Sequence, residues 1–198
     1  MKKLIALVTL SVANLYTSEP QGKTCKIETP PKTLALSQAT HADVPIIFTF
    51  LKSMWSQTYD WLSPDALNCI FHEWNNIKQF EELVESDNGV LLQLKDETGL
   101  HGIATGKLKD KNTLYIGNLY LDQSCQRQKW GTNIIAELKN KLPQAQRLEA
   151  IVQMGNKPGE EFFKKHGFTT KAGYPKKFVI EKGNERFDYA RVEKNLTD

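Results

Sequence analysis

The residues best placed to do chemistry are Gln126, Arg127, Gln128, Lys129, Trp130, Gly131 and Thr132. They separate an apolar run, Leu114 to Leu121, from an amphipathic one, Asn133 to Lys139, that ends near Leu142-Pro143. The first run reads as a strand and the second as a helix. A helix that opens directly behind a short polar loop presents amides with no intrahelical acceptor, and its dipole favours negative charge there. Arg127 and Lys129 add cations at the same point. The segment reads as a pyrophosphate cradle. It is not a P-loop, because the Gly-Lys-Ser/Thr ending is missing, and the chain has no G-x-G-x-x-G.

A second patterned stretch runs from Asn156 to Phe168. It has the form of a short helix carrying the aromatic pair Phe162-Phe163, stopped by Gly167 in the C′ role, with Phe168 starting a strand. Ahead of it, Leu148 to Gln153 alternates and is β-branched, as a strand should be.

These two stretches together resemble the signatures of the GCN5-related N-acetyltransferases, the GNAT superfamily, in the family's order and at family-like separation. The first signature is Gln/Arg-x-x-Gly-x-Gly/Ala. Gln126 matches its first position and Gly131 its last, while Lys129 stands where the first glycine usually lies. Glycine lets a backbone approach phosphate without a Cβ; lysine offers a charge in exchange. The second signature is Asn-x-x-Ala-x-x-Phe-Tyr-x-x-x-Gly-Phe, matched from Asn156 to Phe168 with Phe163 in place of the tyrosine. The resemblance covers the chain from about residue 33 onward.

The resemblance implies an α/β fold, with a GNAT-type mixed central sheet flanked by helices. The Leu114 and Arg147 strands would be parallel, joined by the Gly131 helix, and splayed apart at the cofactor site. It also implies that acetyl-CoA is the co-substrate. The amides from Gln126 to Thr132 would hold its pyrophosphate. The main chain of Leu119, Tyr120 and Leu121 would pair with its pantetheine arm like an extra strand, and Asn156 would contact the arm from the other side. Asn156 as a plain helix N-cap is the alternative, and both can hold together.

Acyl transfer to an amine needs a held thioester, a polarised carbonyl, a neutral amine and a stabilised leaving thiolate. In many family members the aromatic after Phe162 is a tyrosine that protonates the thiolate. Phe163 cannot, although it can still pack against the cofactor. Tyr120 and Tyr174 are candidate substitutes, with packing or hydrogen-bonding roles as the alternative for each. Glu149, on the strand beside the expected splay, is the candidate base; a solvent-facing carboxylate is the competing reading. His72 and Glu73 could line an acceptor pocket, and Trp55, Tyr59, Trp61 and Trp74 suggest a partly apolar acceptor. Cys125 could have a lowered pKa beside the basic loop, but no histidine is placed to make it a nucleophile.

The function expected is direct transfer of an acetyl group to a primary amine in a ternary complex. The acceptor is either a small molecule or a peptide or protein. A catalytically silent acyl-CoA-binding module is the rival, favoured by Lys129 and Phe163. The 198 residues, 40% hydrophobic and 25% charged, suit one domain with a substantial core. A net charge of +3 is too small to argue for nucleic acid. Three dispersed cysteines and four histidines show no metal-ligand spacing, so no metal is expected. The protein is expected to act as a monomer or a homodimer.

Residues 1–18 resemble a secretory signal, with Lys2-Lys3 ahead of an apolar run too short to span a membrane. Residues 19–32 read as a linker and 33–198 as the acetyltransferase domain. An exported location conflicts with acetyl-CoA, a cytoplasmic metabolite, so both locations stay open. Along the domain, strands are expected at Thr33–Ala39, Val90–Leu94, Leu100–Leu108, Thr169–Lys171, Phe178–Glu181 and Arg186–Glu193, with a hairpin turn at Lys182–Asn184. Helices are expected after Thr40 and Ser63, and from Ile77 to Val84.

Overall fold

The structure is a computed structural model in which residues 33–180 and 185–196 are described. The signal-like segment, the linker and the Lys182–Asn184 turn lie outside the described residues.

The elements run β1 (Ala35–Gln38), a 3-10 turn (His41–Asp43), α1 (Val44–Thr58), α2 (Pro64–Trp74), α3 (Ile77–Glu85), β2 (Gly89–Asp96), β3 (Gly99–Leu108) and β4 (Thr113–Leu121). A second 3-10 turn (Gln123–Cys125) leads to α4 (Trp130–Lys141), β5 (Arg147–Gln153), α5 (Lys157–Lys165), β6 (Thr169–Thr170), β7 (Val179–Ile180), β8 (Glu185–Arg186) and β9 (Tyr189–Asn195).

Local chemistry sets the helix starts. The Thr40 amide donates to the Asp43 carboxylate at 2.8 Å in a capping box. The Ser63 hydroxyl accepts from the Ala66 amide, with Pro64 at the first helical position. The Asn76 side chain caps α3 through the Gln79 amide. Gly167, at φ +79°, takes the left-handed turn that ends α5.

Seven strands form one sheet in the order β1-β2-β3-β4-β5-β9-β6, antiparallel except for the β4–β5 pair. Ile134, Ile135 and Leu138 of α4 and Phe163 of α5 pack on one face, against Val90, Leu92, Leu114 and Leu148 among others. On the other face, α1, α2 and α3 bury Ile47, Leu51, Ile70, Phe71 and Phe80 against Leu91 and Ile103. A strand covered on both faces needs an apolar run without alternation, and Val90-Leu91-Leu92 supplies it.

The expected last strand, Arg186 to Glu193, is two strands. Glu185–Arg186 pairs with Val179–Ile180 in a separate hairpin, and Tyr189–Asn195 enters the main sheet. Phe187 causes the break: it is fully buried against Trp55, Tyr59 and Trp74, which turns the chain inward between the two strands.

Candidate active site

Two features open the sheet at its centre. The parallel ladder between β4 and β5 runs from Thr113↔Arg147 to Ile116↔Ala150 and stops there. Directly after it β4 bulges, with Gly117 and Asn118 standing opposite the single residue Thr105. A Cβ on Gly117 would lie 2.8 Å from the Thr105 hydroxyl, so glycine is needed at the bulge. That hydroxyl accepts the Asn118 amide at 2.8 Å. A bulge bends and twists its strand. Here it carries Gly117–Leu121 past the end of the β4–β5 ladder, leaving the β5-facing edge of Leu119, Tyr120 and Leu121 without a strand partner among the described residues.

The chain then reaches the loop at the N-terminus of α4. Arg127 and Lys129 both sit in the left-handed region, at φ 62° and 67°. No side chain caps α4. Its first-turn amides, at Trp130, Gly131 and Thr132, therefore face outward at a positive helix end. Gln126 and Gln128 brace the loop, donating to the carbonyls of Leu121 at 3.0 Å and Ser124 at 2.6 Å. Arg127 makes an exposed 3.8 Å pair with Glu161. Gly131 is buried, and a Cβ there would meet the Phe162 ring at 2.7 Å, so its glycine is required by the close approach of α4 to α5. The Thr132 hydroxyl bonds the His166 ring at 2.9 Å, a second α4–α5 link that the sequence reading missed.

Upstream, His101 is held between Asp122 (2.6 Å) and Asp96 (2.9 Å). The hydrogen bond to Asp122 raises its pKa, with Asp96 adding to the effect against the opposing pull of burial. Asp122 also receives the Cys125 amide at 3.1 Å. This clasp fixes the turn that feeds the loop. The donor atoms of His101, Asp122 and Cys125 lie within 4.8 Å of one another and form the one metal-capable grouping among the described residues. Cys125 differs from the expectation of an activated thiol. It is 2% exposed, and burial pushes its pKa up.

On the α1–α3 side of the sheet the gap opens into a cavity of about 630 Å³. Tyr59, Trp74, Asn118, Tyr120, Gln153 and Tyr189 are among the residues of its wall, and Glu73 and Glu82 line it from α2 and α3. His72 and Trp61 do not line it; His72 packs edge-on against Phe71 instead. The Tyr120 hydroxyl lies 3.1 Å from that of Tyr59. Burial raises the pKa of both phenols, that of Tyr120 most strongly, so both remain protonated through the neutral range. Asn156 caps α5, its side-chain oxygen accepting the Gly159 amide at 3.1 Å. Tyr59, at the end of α1, was read from sequence only as part of an apolar wall.

The other two catalytic candidates stand apart from this hydroxyl pair. Glu149 is 1% exposed and ion-paired to Lys171 at 2.8 Å and Lys109 at 3.1 Å, with Arg147 and Arg191 at 3.9 Å. Burial alone would raise its pKa, but the hydrogen bonds and charges of Lys171 and Lys109 outweigh that and leave it lowered. It sits where the β4–β5 ladder is still paired, opposite Tyr115. A carboxylate so neutralised is a poor proton acceptor, and its ion pairs tie β5 to the segments that carry Lys109, Lys171 and Arg191. Tyr174 lies outside the cavity wall, with the Arg191 guanidinium 5.6 Å from its ring. Phe163 is buried on Phe162 and Phe168, a packing position.

Residues 55–168 match the sequence profile of the Acetyltransferase (GNAT) family. No curated protein matches the sequence. Among solved structures the fold is similar to the PaiA N-acetyltransferase of Thermoplasma acidophilum in complex with coenzyme A, at TM-score 0.68 and 16% identity over 83% of this chain and 99% of that one. It is also similar to the ribosomal-protein-alanine N-acetyltransferase of Brucella melitensis, at 0.61 and 17% over 82% and 99%. Arabidopsis thaliana NAA60 in complex with a bisubstrate analogue gives 0.61 and 13% over 82% and 98%. At these identities the neighbours speak for the fold, and the profile match carries the assignment: the chain belongs to the GNAT acetyltransferase family.

Proposed function

We infer that the protein transfers an acetyl group from acetyl-CoA to a primary amine by direct attack in a ternary complex. The observation that carries the reading is the coincidence, at one point, of an opened parallel strand pair, an uncapped helix N-terminus and a cavity across the sheet. The neighbour solved with coenzyme A supports the choice of donor.

The residues suit that donor. The amides of the Gln126–Thr132 segment and the charges of Arg127 and Lys129 would take the pyrophosphate. The free edge of Leu119–Leu121 would take the pantetheine amides as a strand takes a neighbour, with Asn156 on the far side. Bound acetyl-CoA supplies an activated acyl carbon. The chain supplies position, a donor to the carbonyl from the β4 edge, and a hydroxyl at Tyr120 where the thiolate leaves. Phe163 in place of tyrosine favours the silent-module reading; the protonated hydroxyl of Tyr120 in the cavity wall favours catalysis.

Calorimetric titration of the full chain with acetyl-CoA tests the seating. The expected result is 1:1 binding with an affinity that falls as salt rises, because cations and amides meet phosphate. Binding that is absent, or that is unchanged in Gly131→Trp, would remove the cradle assignment.

A further inference from the structure

We propose that Tyr59 and Tyr120 act as a paired hydroxyl relay that stabilises and protonates the departing thiolate, replacing the single tyrosine whose position Phe163 occupies. This rests on acetyl-CoA being seated in the β4–β5 gap. The two residues come from unrelated elements: Tyr59 ends α1, and Tyr120 lies on β4 beyond the bulge. Their hydroxyls meet at 3.1 Å in the cavity wall.

Packing fixes both phenols in place. Tyr59 is 5% exposed, with Trp55 and Phe187 rings at 5.0 and 5.2 Å, and Tyr120 packs against the same cluster. Each hydroxyl can donate one hydrogen bond and accept another, so a line of donors can run from Tyr59 through Tyr120 to the gap. Burial keeps both phenols protonated, the state a donor needs. In the described structure Glu149 is tied up in its cation cluster, and Tyr174 stands outside the wall.

The step balances as follows. The amine nitrogen attacks the acyl carbon, the C–N bond forms, and the C–S bond breaks with its electron pair passing to sulfur. Tyr120 gives its proton to sulfur and is refilled from Tyr59. The proton released by the new amide nitrogen restores Tyr59, leaving an amide and free coenzyme A. No other reactant is consumed.

The pair can be tested without knowing the amine. Full-length wild type, Tyr120→Phe and Tyr59→Phe are titrated calorimetrically with coenzyme A and with desulfo-coenzyme A, from about pH 7 to about pH 9, across the ordinary thiol range. A site that donates to a thiolate should favour coenzyme A over the desulfo compound increasingly as pH rises, by roughly tenfold over that span. The expected outcome is that this rise vanishes in Tyr120→Phe and is reduced in Tyr59→Phe. Affinity for desulfo-coenzyme A should not change with pH in any of the three proteins, and thermal melts show separately that the variants fold. A rise that survives Tyr120→Phe, a Tyr59→Phe protein identical to wild type, or a flat wild-type profile would each overturn the relay. If neither ligand binds wild type, the seating itself is wrong and the relay falls with it, a result distinct from binding without pH dependence.

Discussion

Replacing Lys129 by glycine should stabilise the fold while weakening its hold on acetyl-CoA. Lys129 sits at φ 67°, ψ 1° just ahead of α4. A Cβ in that region crowds the following carbonyl at a cost of roughly 1–2 kcal/mol. Glycine removes the crowding but brings about 0.5–1 kcal/mol of extra chain entropy to be lost on folding. The balance is a gain on the order of 0.5–1 kcal/mol, which in a domain of this size raises Tm by roughly 1–4 °C. Lys129→Ala is the control, since it loses the ammonium but keeps the Cβ, and it should gain nothing. The Lys129 side chain is exposed, so its pull on a phosphate is worth about 0.2–1 kcal/mol, or roughly a 1.5- to 5-fold change in Kd. Both variants should lose that much affinity at low salt and less at high salt. Thermal melts and acetyl-CoA titrations on the three proteins read both effects. A glycine variant no more stable than the alanine variant would refute the strain argument. Undiminished affinity in both would refute the charge argument.

Further expectations concern groups away from the transfer point. Glu149→Gln should destabilise the fold by about 1–3 kcal/mol in urea melts, below the usual figure for breaking a buried pair because its partly exposed cations can rehydrate. The Glu149 pKa is lowered in the fold, so its stabilisation is present above the ordinary glutamate range and is lost as pH falls through the folded value. Acid-unfolding curves of wild type and variant should therefore converge at low pH, and parallel curves would contradict the ion-cluster role. His101 has a raised pKa, which gives the opposite sign: its contribution is complete below the unfolded histidine value and fades as pH rises through the folded one. The stability lost in His101→Gln should accordingly be largest at mildly acid pH, and a pH-independent difference would show that the clasp is not ionic. Cys69 is exposed and Cys125 buried. Iodoacetamide followed by peptide mass analysis should label Cys69 first and Cys125 only on unfolding, and early labelling of Cys125 would contradict its placement.

Most of the fold was legible because its signals are local. Thr40, Ser63-Pro64 and Gly167 mark helix ends by the hydrogen bonds and φ angles they supply, and the apolar strands from Val90 to Leu121 declare themselves by composition. The uncapped helix start behind the basic Gln126–Thr132 loop was legible for the same reason, since a strand, a basic loop and a helix are adjacent in sequence. Convergence across the chain was not legible. Tyr59 and Tyr120 are 61 positions apart, and no spacing rule announces that the end of α1 meets β4. The setting of Glu149 was not legible either, because a charge on a strand says nothing about which cations surround it; Lys109, Lys171 and Arg191 come from three other segments. The single closing strand was misread because Phe187 breaks the alternation only through its burial among Trp55, Tyr59 and Trp74.

Acceptor-dependent release of free thiol tests the proposed activity most directly. Full-length protein, acetyl-CoA and a panel of amines (a diamine, an aralkyl amine and an alanine-initiated peptide) are incubated, and thiol release is followed alongside mass analysis of the amines. The expected result is thiol release that requires one of the amines, with an equal amount of that amine gaining an acetyl group. Tight acetyl-CoA binding with no acetylated amine and no thiol release would contradict catalysis and leave a protein that holds the cofactor without using it.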